Sequence, residues 1–354
     1  MNGTQHHLPT LGIPHLLPSE GLHSEPSHSL SLTDIRTLLV NYGSQSSAHF
    51  IHQDGVRLYG SLVTGMIAYA TQRTLFGETR VVFNNPICAS ENLDALLDSY
   101  LTQQSVPTVF VAVDRAVASR LRARGYRATQ IGMESTVTLS QFDVQGKNKK
   151  QLRHASNFGK RTPCQVLELP WADVDSQQVL ALSDQWRSQK AGKQQELKWV
   201  TRPPVFKDEW QVRKFYCLQE DRVLGFVFFD PYFENGQIKG YCANIVRSLP
   251  DVALSGVTDY IILEAIKQFR KEGVKELSLG ISPHFNIQAE PGDWGALRHV
   301  LRLMYRHGNA LYAFGGLAYH KTRYRPDQEP WYLCSKGIGL PRVLWTLITG
   351  FGVV

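Results

Sequence analysis

The sequence predicts an α/β (α+β) fold made of two consecutive units, each with a mixed sheet flanked by helices. Strand patterns alternate with amphipathic helix patterns along most of the chain. The order of helix, two or three antiparallel strands, helix, strand, helix and strand occurs twice. The length of 354 residues suits two domains of about 150 residues better than one.

The first unit is predicted over residues 31–145, after a flexible leader of residues 1–30 that is rich in Pro, Ser, His and Gly. Its first helix begins at Ser31, where Ser31 and Asp34 offer caps and Ile35, Leu38 and Leu39 recur at helical spacing. Strand patterns follow at 56–61, 65–70 and 74–84, a helix at 91–102, a strand at 107–114, a helix at 115–125 and a strand at 133–139.

The second unit is predicted over residues 164–336, after a basic connecting helix at 146–163. Its pattern is a helix at 174–189, strands at 211–219, 222–230 and 236–246, a helix at 256–272, a strand at 275–280, a helix at 293–308 and a closing segment at 311–334. An apolar tail, 337–354, follows. We expect this tail either to lie on a membrane or to pack against the body of the protein.

Composition limits the function classes. The net charge of +7 favours an anionic partner: a nucleic acid, a phospholipid surface or a phosphorylated ligand. The five cysteines form no C-x-x-C pair, so reduced core thiols are expected, and no metal site is predicted. No segment reaches the run of about 18 apolar residues that spans a membrane, and the first residues do not form a signal peptide. We therefore expect a cytoplasmic protein, with peripheral contact to the inner face of the membrane as an open alternative.

The segment 146–161, GKNKKQLRHASNFGKR, concentrates positive charge without an acidic residue. On a helix, Lys149 with Arg153 and Lys150 with His154 are neighbours at i, i+4, which predicts one positive face. Such a face suits the phosphates of tRNA or an anionic surface. The residues assigned to this role are Lys147, Lys149, Lys150, Arg153, Lys160 and Arg161. A solvated linker helix is the alternative interpretation.

Six segments resemble one known family. They are GMIAYA (65–70), IGMESTVTLSQFDVQGKNKKQLRHASN (131–157), DQWRSQKAGKQQE (184–196), ANIVR (243–247), TDYIILEAIKQFRKEGVKELSLGISP (258–283) and FGGLAYHKTRYRPDQEPWYL (314–333). Over roughly residues 50–335 the chain resembles the cytosolic catalytic domain of bacterial phosphatidylglycerol lysyltransferases. The resemblance implies two tandem domains of the Gcn5-related acetyltransferase (GNAT) type. The family's membrane flippase domain is expected to be absent.

The resemblance also implies an activity: transfer of an aminoacyl group from aminoacyl-tRNA to a hydroxyl or amine acceptor, usually a membrane phospholipid. It implies neither a metal nor another cofactor. Arg247 stands at the family's arginine in the segment ANIVR, where its donors can hold a phosphate or a developing oxyanion. Asn244 stands where the family has aspartate. An asparagine can orient a group but cannot ionise, and the alternative is a strand polar group that binds a neighbour.

The remaining candidate residues come from three segments. His284 follows a buried strand and is a candidate general base, with a plain surface histidine as the alternative. The segment KAGKQQE supplies substrate-binding candidates in Lys190, Lys193 and Glu196, or else is a charged helix end. Basic and aromatic residues alternate in YHKTRYRPDQEPWY, from which Lys321, Arg323 and Glu329 are assigned to substrate binding; packing of the final strand is the alternative.

Two other functions stay open. An acyl-CoA-dependent N-acyltransferase of the same fold would need a Gln/Arg-x-x-Gly-x-Gly/Ala loop, and every candidate start lacks the last small residue. A non-catalytic relative that binds RNA or membrane is the second alternative, and Asn244 is its best support. The sequence leaves the amino acid, the acceptor and the oligomeric state undetermined.

Overall fold

The computed structural model describes residues 30–189, 196, 198–199, 201–307 and 314–352. Within these ranges the strands form one sheet of eleven, in the order β1-β2-β3-β4-β11-β5-β10-β9-β8-β7-β6. The strands are β1 (Arg57–Ser61), β2 (Gly65–Thr74), β3 (Gly77–Phe83), β4 (Thr108–Val113), β5 (Arg127–Thr138), β6 (Gln165–Glu168), β7 (Arg213–Gln219), β8 (Arg222–Glu234), β9 (Gln237–Ser248), β10 (Glu276–Pro283) and β11 (Asp327–Ser335).

The α-helices of the described residues cover both faces of the sheet. They are α1 (Leu32–Tyr42), α2 (Leu93–Thr102), α3 (Arg115–Ala123), α4 (Lys150–Ser156), α5 (Phe158–Arg161), α6 (Ser176–Ser188), α7 (Val257–Lys271), α8 (Gly295–His307), α9 (Phe314–Thr322) and α10 (Leu340–Gly350). In the first half, α2 and α3 pack on one face, and α1, α8 and α10 pack on the other. In the second half, α4 and α7 cover one face and α6 covers the other.

The two halves exchange strands at the centre of the sheet. Each half has one parallel pair, β3 with β4 in the first and β9 with β10 in the second, whereas the other neighbours are antiparallel. β11 comes from the second half but lies against β4, and β5 comes from the first half but lies against β10. The two mixed sheets expected from the sequence are therefore joined into one. The domain boundaries at 146 and 164 stay a prediction.

Most predicted elements are present, and the local signals explain them. Ser31 caps α1 and forms a capping box with Asp34, as its position predicted. β5 begins at Arg127, six residues before the predicted start at 133. The prediction missed these residues because Thr129 and Gln130 are polar and interrupt the apolar pattern, although both are buried. The short edge strand β6 was not predicted. The basic stretch forms two short helices, α4 and α5, which are divided at Asn157.

The described part of the apolar tail packs against the body. Val343 and Leu347 of α10 join the core over β2, and Gln72 donates a hydrogen bond to Thr349 at 3.1 Å. Trp345 points away from this core and is partly exposed. Among the described helices, none has both the length and the apolar character needed to cross a bilayer.

Candidate functional site

A gap opens between the parallel strands β9 and β10. They pair only over Gly240–Cys242 and Glu276–Ser278. Beyond Ser278, β10 stays paired with β5 alone, after a bulge at which Gly280 has a φ of +76°, a conformation that favours glycine. β9 continues along β8 instead. The carboxyl ends of diverging parallel strands are a common place for ligands in α/β folds, so this gap is the candidate site.

Asn244 lies on a bulge of β9 at this gap. The pairing with β8 shifts between Phe228 and Phe229, which leaves Asn244 without an opposite residue. Its side-chain amide donates to the carbonyl oxygen of Arg202 at 2.9 Å and accepts from the backbone N–H of Arg202 at 3.3 Å. The side chain therefore holds a crossing segment in place, as the second interpretation of this residue expected.

Arg247 lies three residues further along β9, in a closed polar pocket. Its side chain is 2% exposed and donates to Glu196 at 2.6 Å and to the hydroxyl of Ser183 on α6. The guanidinium lies 4.7 Å from the ring centroid of Trp186. Burial lowers the pKa of Arg247, which Glu196 partly offsets. The structure thus brings together two predicted site residues, Arg247 and Glu196. Lys190 and Lys193 lie outside the described residues.

Lys321 is buried at the point where β10 leaves β9. Its ammonium donates to the carbonyl oxygen of Ile281 at 2.6 Å and lies 3.5 Å from the position that a Cβ on Gly280 would occupy. Burial lowers the pKa of Lys321 to about 8, while the nearby Cys242 and Glu134 act in the opposite direction. A buried cation therefore lines the gap.

A buried carboxyl group accompanies this cation. Glu134 of β5 accepts a hydrogen bond from the hydroxyl of Ser278 at 2.7 Å and another from Ser46. Burial raises the pKa of Glu134, although these two hydrogen bonds lower it in part. The sequence analysis did not select Glu134. A single acidic residue inside the apolar strand GMESTV was the signal, because a buried charge requires partners.

Arg323 is part of a structural cluster rather than the gap. It pairs at 2.9 Å with Asp259 of α7, which also accepts from Tyr324 at 2.7 Å and lies 2.9 Å from His320. Burial would raise the pKa of Asp259, but the hydrogen bond from His320 and the charge of Arg323 bring it below its ordinary value. These contacts fix the end of α9 to α7. For Arg323 the packing interpretation is therefore the one that the geometry favours.

Glu329 and His284 both lie next to β5. Glu329 is exposed on β11, opposite Glu134. His284 follows β10, has a φ of +61°, and donates its backbone N–H to Ile131 at 2.7 Å. Burial lowers the pKa of His284 to about 4, so its imidazole is neutral at pH 7. Asn244 and Arg247 lie on β9 and His284 follows β10, so the three predicted catalytic residues come from the two strands that border the gap.

The basic stretch does not form the single positive face that was predicted. Lys149 precedes α4, and its ammonium donates to the carbonyl oxygen of Asp143 at 2.8 Å. Arg153 donates to the carbonyl oxygens of Val144 at 2.9 Å and Gly146 at 2.5 Å. The reason is that the loop before α4 leaves carbonyl oxygens that need donors.

The outer residues of this stretch have different environments. Arg161 lies 3.2 Å from the ring of His154 and donates to the carbonyl oxygen of Asn157 at 3.3 Å. Lys147 and Lys150 are exposed, and the side chain of Lys160 is not among those described. Among the described side chains of this stretch, exposed positive charge is concentrated at Lys147, Lys150 and Arg161.

A buried ion network near Asn244 was not predicted either. The guanidinium of Arg202 pairs with Asp230 of β8 at 2.5 Å and with Glu209 at 2.5 Å. All three residues have little or no exposed side chain. The network anchors the segment whose backbone Asn244 holds. Within the described ranges, no group of three or more His, Cys, Asp or Glu side chains is placed to hold a metal ion.

Comparison with known proteins was made for sequence and for structure. A family model described as phosphatidylglycerol lysyltransferase, C-terminal, matches residues 36–335. The phosphatidylglycerol lysyltransferase of Bacillus subtilis is 23% identical over 270 residues, which are 74% of this chain and 31% of that protein. That of Staphylococcus aureus strain COL is 22% identical over 315 residues, 86% of this chain and 36% of that protein. The chain spans about a third of the length of these curated relatives.

Solved structures show the same fold. L-PGS from Bacillus licheniformis has a TM-score of 0.74 at 18% identity, covering 93% of this chain and 99% of that chain. The C-terminal domain of a putative lysylphosphatidylglycerol synthetase from Agrobacterium fabrum has a TM-score of 0.71 at 18% identity, covering 91% and 98%. FemX has a TM-score of 0.55 at 10% identity, covering 90% and 98%.

Proposed function

The chain belongs to the family of phosphatidylglycerol lysyltransferase C-terminal domains, and from this premise we propose that it transfers an aminoacyl group from aminoacyl-tRNA to a phospholipid. Phosphatidylglycerol is the first acceptor to test, and another hydroxyl or amine acceptor is the wider class. The observation that carries the proposal is the gap between β9 and β10, into which a buried ammonium, that of Lys321, is built. Burying a cation is costly even beside a carboxyl group such as Glu134, which supports a functional reason for it.

The transfer is an exchange of esters. The acceptor oxygen forms a bond to the aminoacyl carbonyl carbon, the bond to the ribose oxygen of the RNA breaks, and a proton passes from the acceptor to that ribose oxygen. Negative charge develops on the carbonyl oxygen in between. The ammonium of Lys321 would stabilise this charge, because a cation in a water-poor site is much more effective than one in water. With a pKa of about 8 it is mostly protonated at pH 7.

Arg247 would bind a phosphate or the ester carbonyl. Its Nε atom is buried and has no hydrogen-bond partner among the described residues, so one donor is left for a ligand. An anion that binds both Nε and Nη2 of the guanidinium would have to displace Glu196, which accepts from Nη2. Asn244 would help to orient the group bound by Arg247, because its side chain fixes the backbone of Arg202. His284, neutral at pH 7, or the α-amine of the substrate would accept the proton.

The tRNA would bind along the exposed residues of the basic stretch. Lys147, Lys150 and Arg161 are solvent-exposed. Contacts of this kind to phosphates do not read sequence, so they position the RNA and leave amino-acid selection to the gap.

A non-catalytic role in binding RNA or membrane is the second candidate. The closed state of Arg247, paired with Glu196, favours it. Asn244 also favours a non-catalytic role, because its side-chain amide both donates to and accepts from the backbone of Arg202. In such a protein the basic stretch would still bind RNA.

A transfer assay tests the proposal. The full chain is given tRNA charged with a mixture of labelled amino acids, together with phosphatidylglycerol vesicles, and label is counted in the organic phase with and without ribonuclease. We expect ribonuclease-sensitive label. Lys321→Met and Arg247→Ala should each reduce it by about a hundredfold or more, whereas Arg222→Ala, at an exposed position of β8, should not.

The results separate the candidates. Full transfer by Lys321→Met would refute the role of the lysine, and full transfer by Arg247→Ala would refute that of the arginine. If charged tRNA binds but no acceptor lipid is labelled by the wild-type protein, the non-catalytic role is favoured.

A further inference from the structure

Three large apolar side chains are exposed on the turn between β2 and β3 and on α10, and we call them the tip surface. Leu75 and Phe76 form the turn between β2 and β3 and are 92% and 48% exposed. Trp345 of α10 is 39% exposed. Single exposed apolar residues are ordinary on protein surfaces, but a cluster that contains a leucine, a phenylalanine and a tryptophan indicates contact with a partner.

Hydrogen bonds join α10, the helix that carries Trp345, to the hairpin of β2 and β3. Arg342 donates to the hydroxyl of Thr79 on β3 at 3.0 Å. Thr349, two turns further along α10, accepts from Gln72 of β2 at 3.1 Å. Trp345 lies between Arg342 and Thr349 on the same side of the helix. α10 therefore lies against the two strands that lead into the turn.

Two arginines border the tip surface. The side chain of Arg73 is 85% exposed and pairs with Glu78 at 3.1 Å. Arg342 lies close to the turn, with its guanidinium 3.6 Å from the position that a Cβ on Gly77 would occupy. Long basic side chains can keep their charge at the lipid phosphates while their stems follow apolar groups inward. The local excess of positive charge agrees with the net charge of the chain, +7.

We propose that the tip surface docks the protein on an anionic phospholipid bilayer. Leu75 and Phe76 enter the acyl boundary, Trp345 lies at the level of the headgroups, and Arg73 and Arg342 contact phosphates. A turn that projects an almost fully exposed leucine is convex, and a fluid hydrocarbon layer covers a convex apolar tip without needing a matching groove. The inference rests on the proposed function in that a lipid acceptor gives the protein a reason to be at the membrane.

Vesicle flotation tests the docking directly. The full chain is mixed with vesicles of phosphatidylglycerol and phosphatidylcholine, and the bound fraction is compared with that of Leu75→Ser/Phe76→Ser. The matched control is Leu62→Ser/Val63→Ser, in the turn between β1 and β2 at the opposite end of β2. There the exposed fractions are 47% and 83%. Loss of two inserted apolar side chains should weaken binding by about tenfold or more, and the control should bind as the wild type does.

Equal binding by the tip variant and the wild type would overturn the proposal, as would an equal loss in both variants. A third result would also overturn it. If, without vesicles, the native mass is that of a dimer for the wild type and that of a monomer for the tip variant, the tip surface binds a second copy of the chain instead of a bilayer.

The docking and the transfer reaction can fail separately. In a transfer assay with a short-chain acceptor dispersed in detergent, the tip variant should be as active as the wild type because it lacks only the docking surface. Vesicle binding that depends on the tip, without any transfer by the wild type, would refute the proposed function and support the docking. Transfer accompanied by tip-independent vesicle binding would do the reverse.

Discussion

At the scale of single residues, Asn244 shows how one amide can join distant parts of the chain. Its two hydrogen bonds to Arg202 cross 42 positions of sequence. Aspartate, the residue that the family resemblance led us to expect here, could accept from the Arg202 N–H but could not donate to the Arg202 carbonyl. Asparagine is therefore suited to a position that faces one backbone donor and one backbone acceptor.

Asn244→Asp should lower the free energy of unfolding by about 1–3 kcal/mol, because a carboxylate oxygen would face the carbonyl oxygen of Arg202. Urea unfolding at pH 7 measures the change. Asn148→Asp adds the same charge at an exposed site and should have little effect. The loss should shrink at acidic pH, where a protonated carboxyl group can donate again. Wild-type stability of Asn244→Asp at pH 7 would contradict this account.

Lys321 makes folding stability depend on pH. Burial places its folded pKa at about 8, below the ordinary value of 10.5, so the unfolded chain binds more protons between these values. The cost of the buried cation is fully present below about pH 8 and disappears as the pH rises towards 10.5. A difference of this size corresponds to on the order of 3 kcal/mol.

Lys321→Met should therefore remove a pH dependence that the wild type has. In urea unfolding between pH 7 and pH 10, the wild type should gain stability relative to this variant as the pH rises. Lys150→Met, at an exposed lysine, provides the control, and its stability should follow that of the wild type. Parallel curves for the wild type and Lys321→Met would show that the ammonium is not destabilised by burial.

At the scale of elements, the basic stretch divides into inward and outward charges. Lys149 and Arg153 satisfy carbonyl oxygens of the preceding loop, whereas Lys147 and Lys150 are exposed. Composition alone counts these four cations as equal. The structure indicates that two of them stabilise the start of α4 and that two are available to an anionic partner.

Lys147→Ala/Lys150→Ala should weaken the binding of tRNA in a salt-dependent way. Each lost phosphate contact lowers the slope of log K against log salt by about 0.7–0.9, so a fall of about 1.5 is expected in fluorescence anisotropy titrations. Arg57→Ala/Arg306→Ala removes two exposed cations elsewhere and should leave the slope unchanged. An unchanged slope for the lysine variant would place the RNA on another surface.

At the scale of the whole molecule, the exchange of β5 and β11 makes each half depend on the other. β5 pairs with β11 on one side and with β10 on the other, and β11 continues the pairing to β4. Each parallel pair is therefore completed by a strand from the other half. Cooperative unfolding of the two halves is expected, even though the sequence suggests two units.

Leu121→Ala should test this cooperativity. Leu121 is buried in the core of the first half, and its truncation should cost about 2–5 kcal/mol. Hydrogen exchange should then accelerate in β8 and β9 of the second half as much as in β4. The reciprocal variant Leu182→Ala, at a buried residue of α6, should accelerate exchange in β2 and β3. Exchange that changes only in the mutated half would show that the halves unfold independently.

The sequence by itself determined the local features: the helices and strands, the family, and the candidates Arg247 and Lys321. Hydrophobic periodicity and capping act over a few residues, so they can be read without the fold. The short strand β6 and the first residues of β5 were not predicted, because their sequence patterns are too brief or too polar.

Only the tertiary structure decided how distant segments meet. It places Glu134 next to Ser278, 144 positions away, and pairs Arg247 with Glu196. It also directs Lys149 and Arg153 to carbonyl oxygens of the loop before α4 and inserts β5 and β11 between strands of the other half. Pairing between strands depends on contacts between remote residues, and one-dimensional patterns do not encode their register. The charge of a buried group likewise depends on its neighbours in space, which is why the gap with Lys321 became recognisable only in the folded chain.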